Sequence, residues 1–331
     1  MSTTTAPDSA RDTPRGRPAI GGWIHLPVIW FALLSAPLWM GYVGGYDALA
    51  SRILVFGLAA MGLNLLLGFT GVMSFGHAAY FGLGAYGAGF VLRYWVHSTP
   101  LAILCGILLG TLAGIVFGAL MMRRTGIYFA MLTIAFSQIC YYFAYSWNSV
   151  TGGYDGLRGF ERAPLHFGPW VVNIQTNGLL FYYFVLAVFA ICTALMGLLL
   201  RSPLGRTMVA IRENPQRARF LGIPVEQHVW IAFIISTFFT AIAGALYALL
   251  NNFADPTALY WVISGNIVIM AVLGGMLNFW GPLVGAAVFV WLEDYISSMT
   301  VNWMSFIGLI FVVVVLFFPR GLLGFMRRRS S

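Results

Sequence analysis

The stretch LGFTGVMSFGH (residues 67–77) interrupts a long apolar sequence with glycines, hydroxyl residues and a histidine. A second stretch, LGGMLNFWGP (residues 273–282), interrupts an apolar sequence in the other half of the chain with glycines, an asparagine and a proline. Irregular backbone at membrane depth is stable only where protein or a wet cavity satisfies its polar groups. Interrupted helices at matching places in two halves indicate a transport pathway. The two stretches therefore predict either interrupted membrane helices or tight turns at the membrane surface.

The remaining sequence has the composition of a membrane protein. Hydrophobic residues make up 60% of the 331 residues and charged residues only 8%, whereas a soluble domain carries about 25% charged residues. Because a spanning helix needs about 20 apolar residues, we predict an all-α polytopic membrane protein, a bundle of about ten transmembrane helices with interrupted helices. The predicted spans lie at 24–43, 53–68, 73–92, 100–122, 127–147, 179–200, 229–250, 264–280, 282–297 and 304–319.

Arginine sets the predicted orientation, because all 18 basic residues are Arg and short Arg-rich segments stay in the cytoplasm. The Arg-rich segments fall on one side of this arrangement, so we expect both termini to be cytoplasmic. These segments hold Arg11, Arg15 and Arg17; Arg123 and Arg124; Arg201, Arg206, Arg212, Arg217 and Arg219; and Arg320 and Arg327 to Arg329. The predicted organisation is a disordered cytoplasmic tail at 1–22, a transmembrane domain at 23–324 with a periplasmic loop at 148–178 and a cytoplasmic loop at 201–228, and a basic cytoplasmic tail at 325–331.

Residue types exclude several chemistries. Without any lysine, the chain has neither a P-loop nor a Schiff-base lysine, so any ATP must be bound by a partner. The three cysteines lie singly in apolar runs, without the spacing of a metal site or a disulfide framework. Ser74 and His77 lack the third group that a nucleophile and its base require. We therefore expect no catalytic residue, no metal and no cofactor in this chain.

The loop at 201–228 contains the signals of a short helix. Asn214 is a preferred N-cap, Pro215 suits the first helical position, and Gly222 suits the residue just past the end. A helix of about two turns is marginal alone and needs a surface to pack on. Two interpretations stay open: a docking helix for a soluble cytoplasmic partner, or a solvated basic loop that only fixes topology.

Polar residues inside the apolar runs are candidates for lining a solute pathway. Interhelical hydrogen bonding is the commoner role of such residues, and for His77 the simpler interpretation is a helix-end histidine hydrogen-bonded to backbone. Glu293 and Asp294 more simply form an interfacial pair with a structural partner than a proton site. The pathway candidates are Asn64, Ser74, His77, Tyr80, Thr133, Gln138 and Asn266.

The loop at 148–178 is too long for a simple turn, and its GGYDG sequence at 152–156 is rich in turn-forming residues. It carries the charged residues Asp155, Arg158 and Glu161. These charges either meet complementary charges on an external binding protein or belong to a solvated exterior loop.

Six motifs resemble the branched-chain amino acid ABC importer permeases, and more closely the LivM-type subunit. They occur in the order typical of that family and cover most of the chain from about residue 50 to 324, whereas the first span carries no resemblance. The motifs are GLNLLLGFTG (62–71), SFGHAAYFGLGAY (74–86), GIYFAMLT (126–133), TGGYDGL (151–157), the loop at 210–222, and PRGL (319–322).

The resemblance implies the ABC importer permease fold in the bacterial inner membrane, without catalysis by this chain. In that family two related permeases pair, here with a LivH-type paralogue, two cytoplasmic ABC ATPases bind beneath and hold the ATP, and a periplasmic binding protein delivers substrate. Asp155, Arg158 and Glu161 are the implied binding-protein contacts. The implied ATPase-coupling residues are Arg212, Glu213, Asn214, Pro215, Arg217, Ala218, Leu221 and Gly222, although the literal Glu-Ala-Ala of other importers is absent.

Several functions stay open at this point. The resemblance implies import of leucine, isoleucine and valine, and related permeases with similar sequences serve urea, short amides and small carboxylates. A stand-alone secondary transporter is a further alternative, but it needs coupling-ion groups in the membrane, where the sequence offers few carboxylates. A membrane-embedded enzyme needs a convergent nucleophile or metal set, which these residues do not supply.

Overall fold

The structure is a computed structural model that describes residues 26–40, 46–124, 126–167, 170–172, 174–175, 177–317 and 321–323. Both predicted tails, at 1–22 and 325–331, lie outside these described residues. So do several residues of the predicted topology signal: Arg11, Arg15, Arg17, Arg320 and Arg327 to Arg329.

The described residues form thirteen α-helices and one short antiparallel hairpin. The helices are α1 (Leu26–Met40), α2 (Asp47–Leu67), α3 (His77–Phe90), α4 (Thr99–Met121), α5 (Ile127–Ser146), α6 (Asn148–Thr151), α7 (Gly178–Arg201), α8 (Pro203–Glu213), α9 (Pro215–Phe220), α10 (Val225–Asn251), α11 (Trp261–Gly274), α12 (Gly281–Met299) and α13 (Trp303–Phe317); the strands are β1 (Leu165–Phe167) and β2 (Trp170–Val172). Each predicted apolar run overlaps one of these helices. The hairpin departs from the all-α prediction, because apolar and aromatic residues within the loop at 148–178 pair locally.

Five of the described helices are long and apolar enough to cross a membrane: α2, α4, α5, α7 and α10, with 20 to 27 residues each. α3 and α11 have only 14 residues, or about 21 Å at 1.5 Å per residue. That length is less than the roughly 30 Å of a bilayer's hydrocarbon core. The fold is therefore a helical bundle with several spans. The total of about ten spans stays a prediction, because helices such as α3 and α11 are shorter than the hydrocarbon core.

α2 lies at the centre of the bundle. It is apolar on every face, which is typical of a helix surrounded by other helices, and 94% of its most apolar window is buried. It packs against α7, α10, α11 and α12. By contrast, 33% of the corresponding window of α4 and 22% of that of α5 are buried, so these two helices present broad open faces.

The two interrupted stretches pack against each other at the end of α2. The Asn64 side chain in α2 donates to Asn278 O at 3.3 Å. A Cβ at Gly68 would collide with the carbonyl oxygen of Met276, so the close approach requires glycine there. We name residues 68–76 and 275–280 together the glycine junction. Both stretches connect consecutive helices, α2 to α3 and α11 to α12.

The first stretch of the glycine junction also dips into the bundle. α3 begins at His77, later than the predicted span at 73–92. The Ser236 hydroxyl in α10 contacts both His77 Nε2 and the carbonyl of Gly62, each at 2.7 Å. Gly62 precedes Gly68 by six residues, which corresponds to about 9 Å along a helix. The start of α3 therefore lies well inside the end of α2.

Candidate functional site

α9 is the short capped helix that the sequence predicts within 201–228. The Asn214 side chain accepts from Arg217 N at 3.0 Å, and Pro215 occupies the first turn. Gly222 has a φ of +81°, the left-handed conformation that glycine supplies after a helix. Its N–H donates to Arg219 O at 2.9 Å. The predicted start and end of this helix are confirmed.

A second helix, α8, precedes α9 and was missed by sequence reasoning. The Ser202 side chain caps it by accepting from Gly205 N at 3.4 Å, and a proline follows Ser202 at the first helical position. This Ser-Pro pair was the available signal. Ile211 in α8 packs with Ala218 in α9 and Val225 in α10. This apolar cluster holds the two short helices against the end of a spanning helix.

The predicted coupling residues divide into an exposed and an anchored group. Ala218 is buried and Arg212 is half-buried, so these two face the bundle. Phe220 is 90% exposed and Leu221 is 73% exposed, and we name this pair the apolar tip. Large exposed apolar side chains that adjoin each other are typical of an interaction surface. The exposed members of the predicted set are Glu213, Asn214, Pro215, Arg217, Leu221 and Gly222.

Arg212 joins α8 to the glycine junction. Its guanidinium donates to the carbonyl of Gly68, and its stem crosses Gly71, where a Cβ would lie 3.0 Å from Arg212 Cγ. Partial burial lowers the pKa of the Arg212 guanidinium, and the Glu213 carboxylate opposes that shift. The group stays charged because arginine is not deprotonated in proteins. A charge-assisted hydrogen bond, stronger than a neutral one, therefore connects α8 to the end of α2.

His77 lies in a buried chain of hydroxyl groups. Its Nδ1 is 3.0 Å from Ser74 Oγ and its Nε2 is 2.7 Å from Ser236 Oγ. The Ser236 hydroxyl donates to Gly62 O, so it accepts from His77 Nε2–H, and in the neutral ring Nδ1 accepts from the Ser74 hydroxyl. Both ring nitrogens of His77 therefore have hydroxyl partners. The expected backbone partner was wrong, because the partners are hydroxyl groups.

The other pathway candidates differ in how they are placed. Asn64, Tyr80 and Thr133 are each about 1% exposed; Thr133 Oγ1 accepts from Phe75 N at 3.1 Å, which ties α5 to the glycine junction. Gln138 is only half-buried, and its Oε1 has no hydrogen-bond partner within the described parts of the chain. Asn266 is also half-buried.

The structure thus separates the seven pathway candidates into two sets. Asn64, Ser74, His77, Tyr80 and Thr133 are buried among helices, whereas Gln138 and Asn266 reach the surface of the chain. Sequence reasoning missed Ser236 and Ser264, which are hydroxyl residues within apolar runs; Ser264 Oγ accepts from Ala78 N at 2.7 Å. Hydroxyls inside apolar runs were the signal that could have identified both.

The open face of α5 is more polar than that of α4. Tyr128, Met131, Tyr142 and Tyr145 lie along one side of α5 and are 75%, 63%, 63% and 40% exposed. The exposed face of α4 is aliphatic, with Leu104, Leu108, Leu112 and Leu120 each more than half exposed. Tyrosine hydroxyls need a hydrogen-bond partner, which lipid tails cannot supply. The same side of α5 also exposes Ile127, Ile139 and Phe143, so the α5 face is mixed and suits a protein partner or the membrane interface, whereas the α4 face suits lipid.

The opposite end of α2 is fixed by polar contacts with α12. Arg52 Nη2 lies 3.0 Å from Glu293 Oε1, and these side chains are 30% and 14% exposed. Tyr46 donates to Asp294 at 3.1 Å. The sequence interpretation of Glu293 and Asp294 as a pair with structural partners is confirmed. These contacts lie at the end of α2 remote from Arg212.

The segment at 148–178 packs on this same remote end. Leu157 pairs with Ala254 in an isolated β-bridge, and Arg93 Nη1 donates to Arg158 O at 2.7 Å. The predicted docking residues Asp155, Arg158 and Glu161 are all exposed. Arg158 Nε donates to Asp155 O at 3.0 Å, so two of the three are in contact. Glu161 borders a separate open groove of about 800 Å³.

The chain matches a family model along most of its length. This model is described as a branched-chain amino acid transport system permease component, and it matches residues 45–316. The chain belongs to this permease family. The match begins just before α2 and leaves α1 outside, in agreement with the lack of resemblance in the first predicted span.

Individual relatives of this permease fall into two transport classes. LivM of Escherichia coli, a high-affinity branched-chain amino acid transport system permease protein, is 25% identical over 89% of this chain and 74% of its own length. LivH of Salmonella typhimurium, with the same type of name, is 24% identical over 81% of this chain and 91% of its own. LsrD of Escherichia coli, an autoinducer 2 import system permease protein, is 28% identical over 75% of this chain and 73% of its own length. No solved structure matches the chain.

Proposed function

We propose that this permease forms half of the translocation pathway of an ATP-driven importer in the bacterial inner membrane and performs no catalysis itself. The observation that carries this proposal is the apolar tip at the end of α9, which packs through Ala218 on Ile211 of α8, while Arg212 connects α8 to the glycine junction. A partner that moves α9 would thereby move the ends of α2 and α3. Rigid elements of this kind transmit motion because packed arrangements switch as bodies.

In this proposal α8 and α9 face the cytoplasm, both termini are cytoplasmic, and two ABC ATPases bind the apolar tip and supply the ATP hydrolysis. The coupling contacts are Glu213, Asn214, Pro215, Arg217, Leu221 and Gly222, with Arg212 and Ala218 anchoring them. The segment at 148–178 then faces the periplasm. Its exposed residues Asp155, Arg158 and Glu161 are the proposed contacts for a substrate-binding protein.

The second half of the pathway is a paralogous, LivH-type permease that packs opposite α5. The exposed tyrosines of α5 support this assignment, because their hydroxyls would find hydrogen-bond partners in a protein interface. Gln138 on α5 and Asn266 on α11 are the two predicted pathway residues that reach the surface, and we propose that solute passes them. The buried candidates Asn64, Ser74, His77, Tyr80 and Thr133 reach the solute only if the glycine junction opens.

The proposed substrates are branched-chain amino acids, in line with the names of LivM and LivH. LsrD favours a second candidate, a small polar solute that is not an amino acid; urea, short amides and small carboxylates belong to that class. Uptake of labelled leucine and labelled urea by a strain lacking only this gene separates the two. Loss of leucine uptake supports the first candidate, and unchanged uptake of leucine contradicts it.

The coupling role is tested by replacing both residues of the apolar tip, Phe220→Ala with Leu221→Ala, in the reconstituted importer. Removing two apolar anchors of an interface costs about 2 kcal/mol or more, so we expect at least about tenfold weaker ATPase binding and a matching loss of ATP-driven uptake. Arg206→Ala is the control, because Arg206 is exposed on α8 away from the tip. Equal ATPase binding by both variants, or solute accumulation by the chain alone in vesicles, would contradict the proposal.

A further inference from the structure

A cavity of about 480 Å³ lies beside α9. Its walls come from the first stretch of the glycine junction, the start of α5, α9 and the start of α10. Most of the lining is apolar, including Val72, Ile134 and Val229. Cavities of about 300–1,000 Å³ with apolar walls and a few placed polar groups are typical small-molecule sites.

Three charged side chains line this cavity: Arg124, Arg219 and Glu226. Arg219 and Glu226 form an ion pair at 2.5 Å, and their side chains are 48% and 44% exposed. Arg124 comes from the turn after α4, on a different element. Arg124 lies outside this ion pair and favours a carboxylate; a zwitterion that inserts into the half-exposed Arg219–Glu226 pair meets a guanidinium with its carboxylate and Glu226 with its ammonium group, and the apolar wall favours a short aliphatic chain. A small aliphatic amino acid carries all three features.

We propose that this cavity binds a small aliphatic amino acid from the cytoplasmic side and that its occupancy slows import. The assignment of sides rests on the proposed function. The cavity includes Arg219 of α9 together with Ile127 and Met131 of the open α5 face. A ligand there contacts the coupling helix and the pathway wall at once. It therefore holds α9 against the glycine junction and opposes the movement that import requires.

An anionic phospholipid headgroup is a different occupant, and the Glu226 carboxylate disfavours it. Glu226 would repel a phosphate group, whereas it complements an ammonium group. The proposal therefore commits to a zwitterionic solute. Lipid dependence of the measured effect, without solute dependence, would overturn it.

The test uses the full importer in proteoliposomes that contain ATP, with or without unlabelled leucine in the lumen that faces the ATPases. Inhibition of labelled leucine uptake is expressed relative to each variant's own rate without lumenal leucine. We expect wild type to be inhibited, and Arg124→Gln to need at least about tenfold more lumenal leucine, because a hydrogen bond between charged groups is lost. Leucinamide lacks the carboxylate and 4-methylpentanoate lacks the ammonium group, and each should inhibit more weakly than leucine.

Arg123→Gln is the matched control, since Arg123 is an exposed neighbour that does not belong to the cavity lining, and it should behave as wild type. Arg124→Lys should restore inhibition, which separates the loss of charge from misfolding. Equilibrium binding of labelled leucine to the complex in nanodiscs, without a binding protein, checks the cavity independently of coupling. Absence of lumenal inhibition in wild type, or equal inhibition of the Arg124→Gln and Arg123→Gln variants, would overturn the proposal even if the apolar tip is confirmed.

Discussion

His77 is the residue at which a structural and a transport role are most clearly distinguished. Its ring is fully buried and contacts Ser74 and Ser236 through both nitrogens. The Ser236 hydroxyl donates its hydrogen bond to the carbonyl of Gly62, so this row of hydrogen bonds ends on a backbone acceptor. A proton relay needs a further titratable group within hydrogen-bond reach, and the hydrogen-bond partners of His77 among the described residues are the serines Ser74 and Ser236. His77 therefore fastens the start of α3 to α10.

This role predicts different outcomes for two substitutions of His77. His77→Gln keeps a donor and an acceptor, so uptake should stay within about threefold of wild type. His77→Leu leaves the Ser74 hydroxyl buried without its acceptor, which costs about 1–3 kcal/mol and should lower the thermal unfolding temperature of the purified complex. Uptake assays and thermal unfolding measure the two effects. Loss of uptake in His77→Gln without loss of thermal stability would instead indicate a relay.

The sequence could identify His77 as notable but not its distant partner. Ser236 is 159 residues from His77 in the chain. In the same way, Gly68 is 144 residues from its partner Arg212. Side-chain partners at such separations depend on how helices pack, which no local pattern encodes. The glycines of the junction were recognisable because a break in an apolar run is a local signal.

At the scale of elements, α9 was predictable because helix ends depend on local chemistry. Asn214 and Gly222 act within one turn of the helix they delimit, and the structure places them as expected. α8 was missed because its sequence is polar and arginine-containing, which also fits a solvated loop. Its burial of Met208 and Ile211 is a consequence of packing on the bundle. The strands β1 and β2 are only three residues long each, too short for a periodic pattern.

The end of α9 makes a further prediction for Gly222. Proline fixes φ near about −65°, which is incompatible with the φ of +81° at this position, and it removes the N–H that donates to Arg219 O. Gly222→Pro should therefore abolish substrate-stimulated ATP hydrolysis while membrane levels stay normal. Gly222→Asn is the control, since asparagine tolerates the left-handed conformation. Normal stimulation in Gly222→Pro would show that the end of α9 does not transmit coupling.

At the scale of the whole molecule, the bundle is organised around α2, with α4 and α5 at its periphery. Uniform apolarity made α2 recognisable as a membrane helix, but it did not show that α2 is enclosed by the others. The contrast between the α4 and α5 faces also emerges only when burial is known, because buried and exposed tyrosines look alike in sequence.

This contrast makes the last prediction, which concerns water access in the assembled importer. The three native cysteines, Cys105, Cys140 and Cys192, are first replaced by alanine. In that background Ala135→Cys places a thiol on the open face of α5, and Leu112→Cys places one on the open face of α4. Both positions are exposed in this chain. The thiolate is the nucleophile that attacks the reagent, and it forms in water and not in lipid. A membrane-impermeant reagent should therefore label Ala135→Cys at least about tenfold faster than Leu112→Cys, because only α5 faces a hydrated pathway. Transportable solute should slow the labelling at position 135. Equal, slow labelling at both positions would place α5 against lipid and would remove the proposed pathway from this side of the bundle.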